Sequence, residues 1–536
     1  MKAMKKYIYV IACSLGLVSC DSFLTTPPLL EISEELWWND KTQAEMMVRG
    51  TYDYISGPEE IALWDCLSDN AIHREGKYKQ IGNGTHTTQS EIIKNQWKYD
   101  KIAKLNYVLE GLEKAKDNLS EAEYLRYTSE VRFIRAFTYY NMAFFFGDVP
   151  LIKNTLTVSE SRETSRQPRA EVLAFVLDEL ENNVLPNINA VEVNESGRVN
   201  EQVVNAFLSR VYLFEKEYEK VLEYTDKVIK SGNYELHADY DELFRPQSDG
   251  ANREVIFERQ YNAPLVMHEL NRNLSYASGV YGGWSHVLAL NELVEEYECL
   301  NGHSVADCEA LGCEYHQKRL GTETDTHRGE YDFRDPRLDA SIVWPFKEWV
   351  VDGAVRCYYG VDDPNTADYV QKETHMTGYM CQKWVDMRGE YADRTRADKN
   401  MTILRYGDVL LMRAEALIEL NQNLPEAVSL INQIRARVNM PAIEVASQAV
   451  LREKLRHERR VETAFEGLRY FDIIRWQIGD KVRKGKVYGA RMKAISENMD
   501  HKYMEERFWD DKMYLFPVPQ EAIDNNENLT QNTGWD

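Results

Sequence analysis

A few cysteines, one loose acidic cluster and a scatter of aromatic rings are the residues whose types and spacing could do chemistry in this chain. Cys20 closes the run Leu17-Val18-Ser19-Cys20, which resembles a bacterial lipobox, where the cysteine is acylated and becomes the first mature residue. Ahead of it, Lys2, Lys5 and Lys6 form a positive stretch, and Ile8 to Val18 form an apolar one of signal-peptide length, too short to span a bilayer. Residues 1–19 are therefore expected to be a lipoprotein signal peptide, with Asp21 to Pro28 as a polar, proline-containing tether. In a secreted chain the later cysteines can pair. Cys299, Cys308 and Cys313 lack the paired CxxC spacing of a zinc site, so a disulfide within one irregular loop is expected there and no metal. Asp362, Asp363, Asn365 and Asp368 supply the oxygens that calcium takes, though not at EF-hand spacing. A solvated turn without cofactor is the expectation there, and calcium the alternative.

Catalytic grammar is missing. The chain has no Gly-x-Ser-x-Gly elbow, Walker loop, Rossmann glycine fingerprint or His-Glu-x-x-His, and His457-Glu458 lacks a second histidine. Pairs such as Asp239 and Asp241 arise by chance among 87 acidic residues, and a glycosidase needs two carboxylates about 5 to 9 Å apart across a sugar. The expectation is a protein without enzymatic activity. A formal charge of −23, made more negative by removal of the leader lysines, opposes binding to phosphate backbones and excludes a nucleic-acid partner. The 32 Tyr and 11 Trp beside 17 Phe favour rings with a polar edge, which suit wet binding surfaces as well as cores.

The elements that must position these residues are mainly helical. Ser120-Glu121-Ala122-Glu123 reads as a capping box opening a long helix through Phe133, Phe137, Tyr140 and Phe144, stopped by Gly147 and Pro150. Val204, Leu208, Val211 and Tyr212 mark one helical face and Val221, Leu222, Val228 and Ile229 the next, a pair ended by Gly232. The same grammar returns in Leu410, Ala414, Leu417 and Ile418, followed by a helix opened by Pro425 and closed before Pro441. Such hairpins hide their apolar faces by stacking, so a tetratricopeptide-like superhelix of helical pairs is expected. Residues 236–401 differ: Gly, Pro, Asp and Asn separate short apolar runs such as Val255-Ile256-Phe257 and Ser341-Ile342-Val343-Trp344, implying short strands and long loops. The charged run Leu455 to Glu462 and the ring-rich Phe465 to Trp476 suit a buried polar junction better than a catalytic site.

Ordered blocks resemble the SusD/RagB family of outer-membrane lipoproteins. They are the lipobox and tether; Glu130 to Phe137 leading to Phe146-Gly147-Asp148-Val149-Pro150-Leu151; Arg405 to Ala416; Ile431 to Arg437; Glu458-Arg459-Arg460 with Phe465-Glu466-Gly467; and Leu515 to Pro519 with Asn528 to Asn532. The resemblance implies a mainly α fold with an N-terminal SusD-like helical region over 20–235 and a C-terminal SusD/RagB region over 236–536. The latter divides into a loop-rich ligand-binding part (236–401) and a helical part (402–536). It further implies a lipid-anchored, cell-surface position on the outer membrane beside a SusC-like TonB-dependent transporter. Glycan capture without cleavage is the implied activity; peptide binding of the RagB type and a secreted glycosidase are the alternatives.

Sugar rings present CH faces that pack on Tyr and Trp while their hydroxyls seek polar neighbours. Tyr276, Tyr281 and Trp284, flanked by Gly279, Gly282 and Gly283, fit that description, as does Trp64 with Asp65 and Asn70 in the stretch that runs on to Lys79. Those six are the candidate ligand-binding residues.

Overall fold

The computed structural model describes residues 38–535 apart from 192–194, 246–251, 276–282, 325–328, 352–353, 358–376, 392, 394 and 492–500. Cys20, Tyr276, Tyr281 and the acidic cluster at 362–368 lie outside the described residues.

The helical scaffold grows from local signals. α1 (Lys41–Thr51), α2 (Tyr99–Lys114) and α4 (Arg169–Asp178) pack around α3 (Glu121–Phe146). The capping box that opens α3 is formed: Ser120 Oγ accepts from the Glu123 N–H at 3.3 Å while Glu123 Oε2 accepts from the Ser120 N–H at 3.0 Å. Beyond its first turn α3 is buried nearly all round, the mark of a helix inside a core rather than on its surface. Phe133, Phe137 and Tyr140 meet Phe207 edge-on or tilted, and Phe144 and Phe145 meet Phe471, geometries that aromatic quadrupoles favour.

α5 (Glu201–Phe214) and α6 (Tyr218–Lys230) form one hairpin, α7 (Tyr406–Glu419) and α8 (Leu424–Arg437) another. α6 lies directly against α7, so hairpins far apart in sequence stack as consecutive helical pairs. Leu222 and Ile229 of α6 cover the cluster built from Leu410, Leu417, Ala427 and Ile431, and Arg210 of α5 bonds Asp408 of α7 at 2.7 Å. Packing therefore runs without a break across the change of texture at 235/236. α9 (Gln448–Glu462) and α10 (Arg469–Trp476) complete the C-terminal side.

Among the described residues the strands are short and form two-stranded antiparallel sheets only. β1 (Ala71–His73) pairs with β3 (Val287–Ala289), and β2 (Val255–Arg259) pairs with β4 (Met401–Arg405). Both ladders join segments distant in the chain. Among the described residues no helix is long and apolar enough to cross a membrane.

The junction foreseen around residues 455–476 is a buried ionic lattice. Arg337, without exposed surface, bonds Asp335 at 2.7 Å, Glu458 at 2.6 Å and Glu462 at 2.9 Å. Glu462 is shared with Arg405 at 2.7 Å and Arg437 at 2.5 Å, and Arg405 also takes Glu254 and Glu466. Arg459 bridges Asp408 and Asp472, while Arg460 and Arg469 converge on Asp69. Burial alone would raise the Glu462 carboxyl; the guanidiniums of Arg437, Arg405 and Arg337 hold it well below the usual carboxylate range. Such charges tolerate burial only because every one of them is paired.

Candidate functional site

Trp284 stands at the surface with 40% of it exposed, and the backbone around it is fixed from three sides. Its N–H donates to the Arg272 carbonyl at 2.8 Å, the Ser285 N–H to Ser275 at 3.0 Å and the His286 N–H to Asn273 at 2.7 Å, so the segment is laid along the short helix Leu270–Leu274. Gly283 permits this approach, since a Cβ there would sit 2.1 Å from the Ser275 carbonyl oxygen. The third support is β1: Arg74 extends the β1–β3 ladder through its N–H to the His286 carbonyl at 2.9 Å, and its guanidinium donates to the Trp284 carbonyl.

The indole is held from below by a cation. The Arg272 guanidinium lies 4.9 Å from the ring centroid, an arrangement worth about 0.5–1 kcal/mol at an exposed site, and Glu269 anchors that arginine at 3.1 Å. Behind Trp284 the rings of His286, His73 and Tyr78 follow at centroid spacings of 5.2, 5.1 and 5.2 Å, running from the surface into the core. Glu75 borders the platform, exposed, bonded to Arg74 at 2.9 Å and 3.6 Å from His286 Nε2. The carboxyl sits below its usual range, first through its hydrogen bond to Arg74 and then through the charge of His286. An exposed indole with fixed guanidinium and carboxylate neighbours is what a sugar ring requires: an apolar face to stack on and charged partners for its hydroxyls.

The other described candidates lie elsewhere. Trp64 is 5% exposed and packs on Phe145 and Phe471 at 5.7 and 5.2 Å. Asp65 and Asn70 have no exposed surface. Asp65 accepts from the Asn70 amide at 2.7 Å and from the Gly467 N–H at 3.0 Å, and Asn70 in turn accepts from Arg460 Nε at 2.9 Å. Burial lifts the Asp65 carboxyl to about 6. The expectation that Trp64, Asp65 and Asn70 meet ligand is thus corrected: the ring is taken up by the aromatic core and the two polar groups by the buried junction. Trp64 Nε1, Tyr140 OH, Arg210 Nε and Thr402 Oγ1 line an internal cavity of about 40 Å³, room for a water or two and far below the roughly 300 Å³ at which ligand pockets begin.

The same N-terminal stretch nevertheless reaches the platform, through Arg74 and Glu75 rather than Trp64. Arg74, Glu75, Arg272 and His286 were missed in the sequence because nothing local marks them. The β1–β3 pairing, which joins residues about 200 apart, brings Arg74 and Glu75 to Trp284, while the fold of residues 284–286 back on the helix Leu270–Leu274 brings Arg272.

The described residues also gather one set of soft metal ligands. The Sγ atoms of Cys299, Cys308 and Cys313 lie within 4.8 Å of one another, and none of the three is in a disulfide, contrary to the pairing expected for that loop.

Comparison with known proteins places this geometry in context. Residues 253–535 match the family described as the SusD family, and residues 40–213 match one described as starch-binding, associating with the outer membrane. A SusD-like protein of Formosa agariphila is 26% identical over 511 residues, covering 88% of this chain and 92% of its own. The starch-binding protein SusD of Bacteroides thetaiotaomicron is 24% identical over 512 residues, covering 91% and 85%. The crystal structure of a SusD-like carbohydrate-binding protein from Bacteroides fragilis superposes with a TM-score of 0.80 at 28% identity, covering 92% of this chain and all of that one.

Proposed function

Because this chain belongs to the SusD family, whose members include carbohydrate-binding proteins, we propose that it is a non-catalytic glycan-binding lipoprotein of the outer-membrane surface. It takes up oligosaccharide at the Trp284 platform and passes it to a SusC-like TonB-dependent transporter. The observation that carries the binding role is Trp284 itself: an indole 40% exposed, braced by Arg272 and bordered by Glu75, where the other candidate tryptophan, Trp64, is buried. Anchoring rests on Cys20 and the signal-like residues before it. The reading as a binder without catalysis rests on the missing catalytic motifs of the sequence and on the carbohydrate-binding proteins among its relatives.

The test is retention of oligosaccharides by the mature protein, with reducing ends measured over a long incubation. Binding without new reducing ends is the expected result. Sustained release in proportion to protein concentration would make it a hydrolase, and indifference to every glycan would shift the reading to peptides.

A further inference from the structure

Cys308 and Cys313 do not have the spacing of a zinc knuckle, yet the backbone performs the same task by another route. The helix Val305–Ala310 ends with the Gly312 N–H bonding the Glu309 carbonyl at 3.0 Å and the Cys313 N–H bonding the Cys308 carbonyl at 2.9 Å. Those two bonds are the Schellman motif, in which the residue two past the cap folds back over the third residue from the helix end. Gly312 supplies the left-handed position at φ +61, and the side chains brought together are the two thiols. Cys299 arrives from a separate tight turn, closed by the Gly302 N–H on the Cys299 carbonyl at 2.7 Å and the Cys299 N–H on the His303 carbonyl at 2.8 Å.

The spacing of the three sulfurs separates two chemistries. A disulfide needs two sulfurs about 2.05 Å apart and leaves the third cysteine idle. Three thiolates on a tetrahedral ion with arms of about 2.3 Å lie on edges of about 3.8 Å. Cys299 Sγ and Cys313 Sγ are 4.0 Å apart, close to that edge, and the third sulfur is within 4.8 Å of both. Asn301 Nδ2 donates to Cys313 Sγ at 3.5 Å, an outer hydrogen bond of the kind that orients thiolate ligands. Cys313 is the N-cap residue of the helix Glu314–Thr322, on which Lys318 pairs with Glu314 at 2.9 Å.

We propose that Cys299, Cys308 and Cys313 form a site for one thiophilic divalent ion of the zinc type, with its fourth position left for a solvent ligand. Sulfur donors select such an ion over calcium or magnesium. Binding breaks three S–H bonds heterolytically, releases three protons to solvent, forms three metal–sulfur bonds and transfers no electrons. Cys299 and Cys308 are buried while Cys313 is part-exposed, which gives the ion a path in. The ion cross-links the 299–313 loop beside Arg435, whose guanidinium bonds the neighbouring Glu298 at 2.9 Å.

The test uses the mature chain purified under reductant, stripped with chelator and titrated with Co²⁺. A thiolate-to-cobalt charge-transfer band should rise to saturation at one equivalent and vanish on addition of Zn²⁺. Cys308→Ser and Cys313→Ser should lose the band, and Cys66→Ser, in a thiol buried elsewhere, should keep it. Should a serine variant fail to fold, alkylation of the unaltered chain decides: Zn²⁺ should slow modification of these three cysteines at least tenfold, read peptide by peptide by mass. No band from a folded chain, a band that survives in folded Cys308→Ser, no protection from alkylation, or a disulfide within 299–313 in protein isolated from its own envelope would overturn the proposal.

Discussion

Arg337 is the most demanding point of the ionic lattice, and replacing it with methionine tests whether the lattice behaves as its geometry says. The side chain has no exposed surface and satisfies three carboxylates at 2.6 to 2.9 Å. Methionine fills similar volume but leaves those groups short of a cation. Glu462 keeps Arg405 and Arg437, and Glu458 keeps Arg435; Asp335 keeps no other cation among the described residues. Removing one partner of a buried ion pair costs about 3–5 kcal/mol, a large part of the roughly 5–15 kcal/mol that holds a native protein together. Urea melts followed by circular dichroism measure it without adding salt. The gap between wild type and Arg337→Met should also depend on pH. In the wild type, Glu462 and Asp408 are held below their ordinary range by guanidiniums that outweigh burial. Their stabilisation is complete above the unfolded carboxylate range of about pH 4 and is lost as pH falls through the depressed folded values. In the variant a stranded carboxylate takes up a proton in the folded state, so its penalty is greatest at neutral pH and the gap narrows below about pH 5. A cost under about 1 kcal/mol at pH 7, or a gap that does not change with pH, would refute the reasoning. Lys230→Ala, which breaks a pair whose lysine is 75% exposed, should stay within about 0.5 kcal/mol by the same assay.

Three further outcomes are expected. Trp284→Ala should weaken glycan binding in calorimetric titration: the exposed 40% of the residue, taken from a ring offering about 150–250 Å² at about 25 cal/mol/Å², supplies about 1.5–2.5 kcal/mol, or one to two decades in Kd. Unchanged affinity in a folded variant would remove Trp284 from the site. Ser120→Ala should cost about 1 kcal/mol in a urea melt through loss of the α3 cap, and no loss would mean the helix end is held by packing alone. Cys20→Ala should abolish labelling with palmitate, since a single acylated cysteine is the proposed anchor; persistent label would place the lipid elsewhere.

The helical pairs were legible because each carries its own start, period and stop within some thirty residues. Ser120, Gly147 and Pro425 sit where capping chemistry puts them, and the hairpin faces keep their periodicity whatever they pack against. That residues 455–476 form a polar junction was also readable, from the density of paired charge at helical spacing. Its reach to Asp65, Asp69 and Asn70 was not, because those bonds cross about 400 positions and a short polar stretch after a tryptophan looks the same whether water or arginine satisfies it. That Trp284 is exposed could be read from its ring among glycines, whereas the approach of Arg272 and Arg74 to it gave no local sign. That the three thiols meet without a disulfide was not readable, because Cys308 and Cys313 are brought together by the Schellman turn at Gly312 rather than by CxxC spacing.

The span of the lattice also bears on how the chain is made. Synthesis delivers Asp69 first and its partners Arg460 and Arg469 only near the end, a separation of 400 residues for Arg469. Until then the N-terminal helices must hold a carboxylate that cannot be buried without its cations, and the core around Trp64 lacks Phe471. Contacts so distant in sequence form late and slowly, so the junction at Asp69 is completed only after the locally encoded helical pairs. The helices that carry Arg460 and Arg469 are therefore what closes the fold around Asp69.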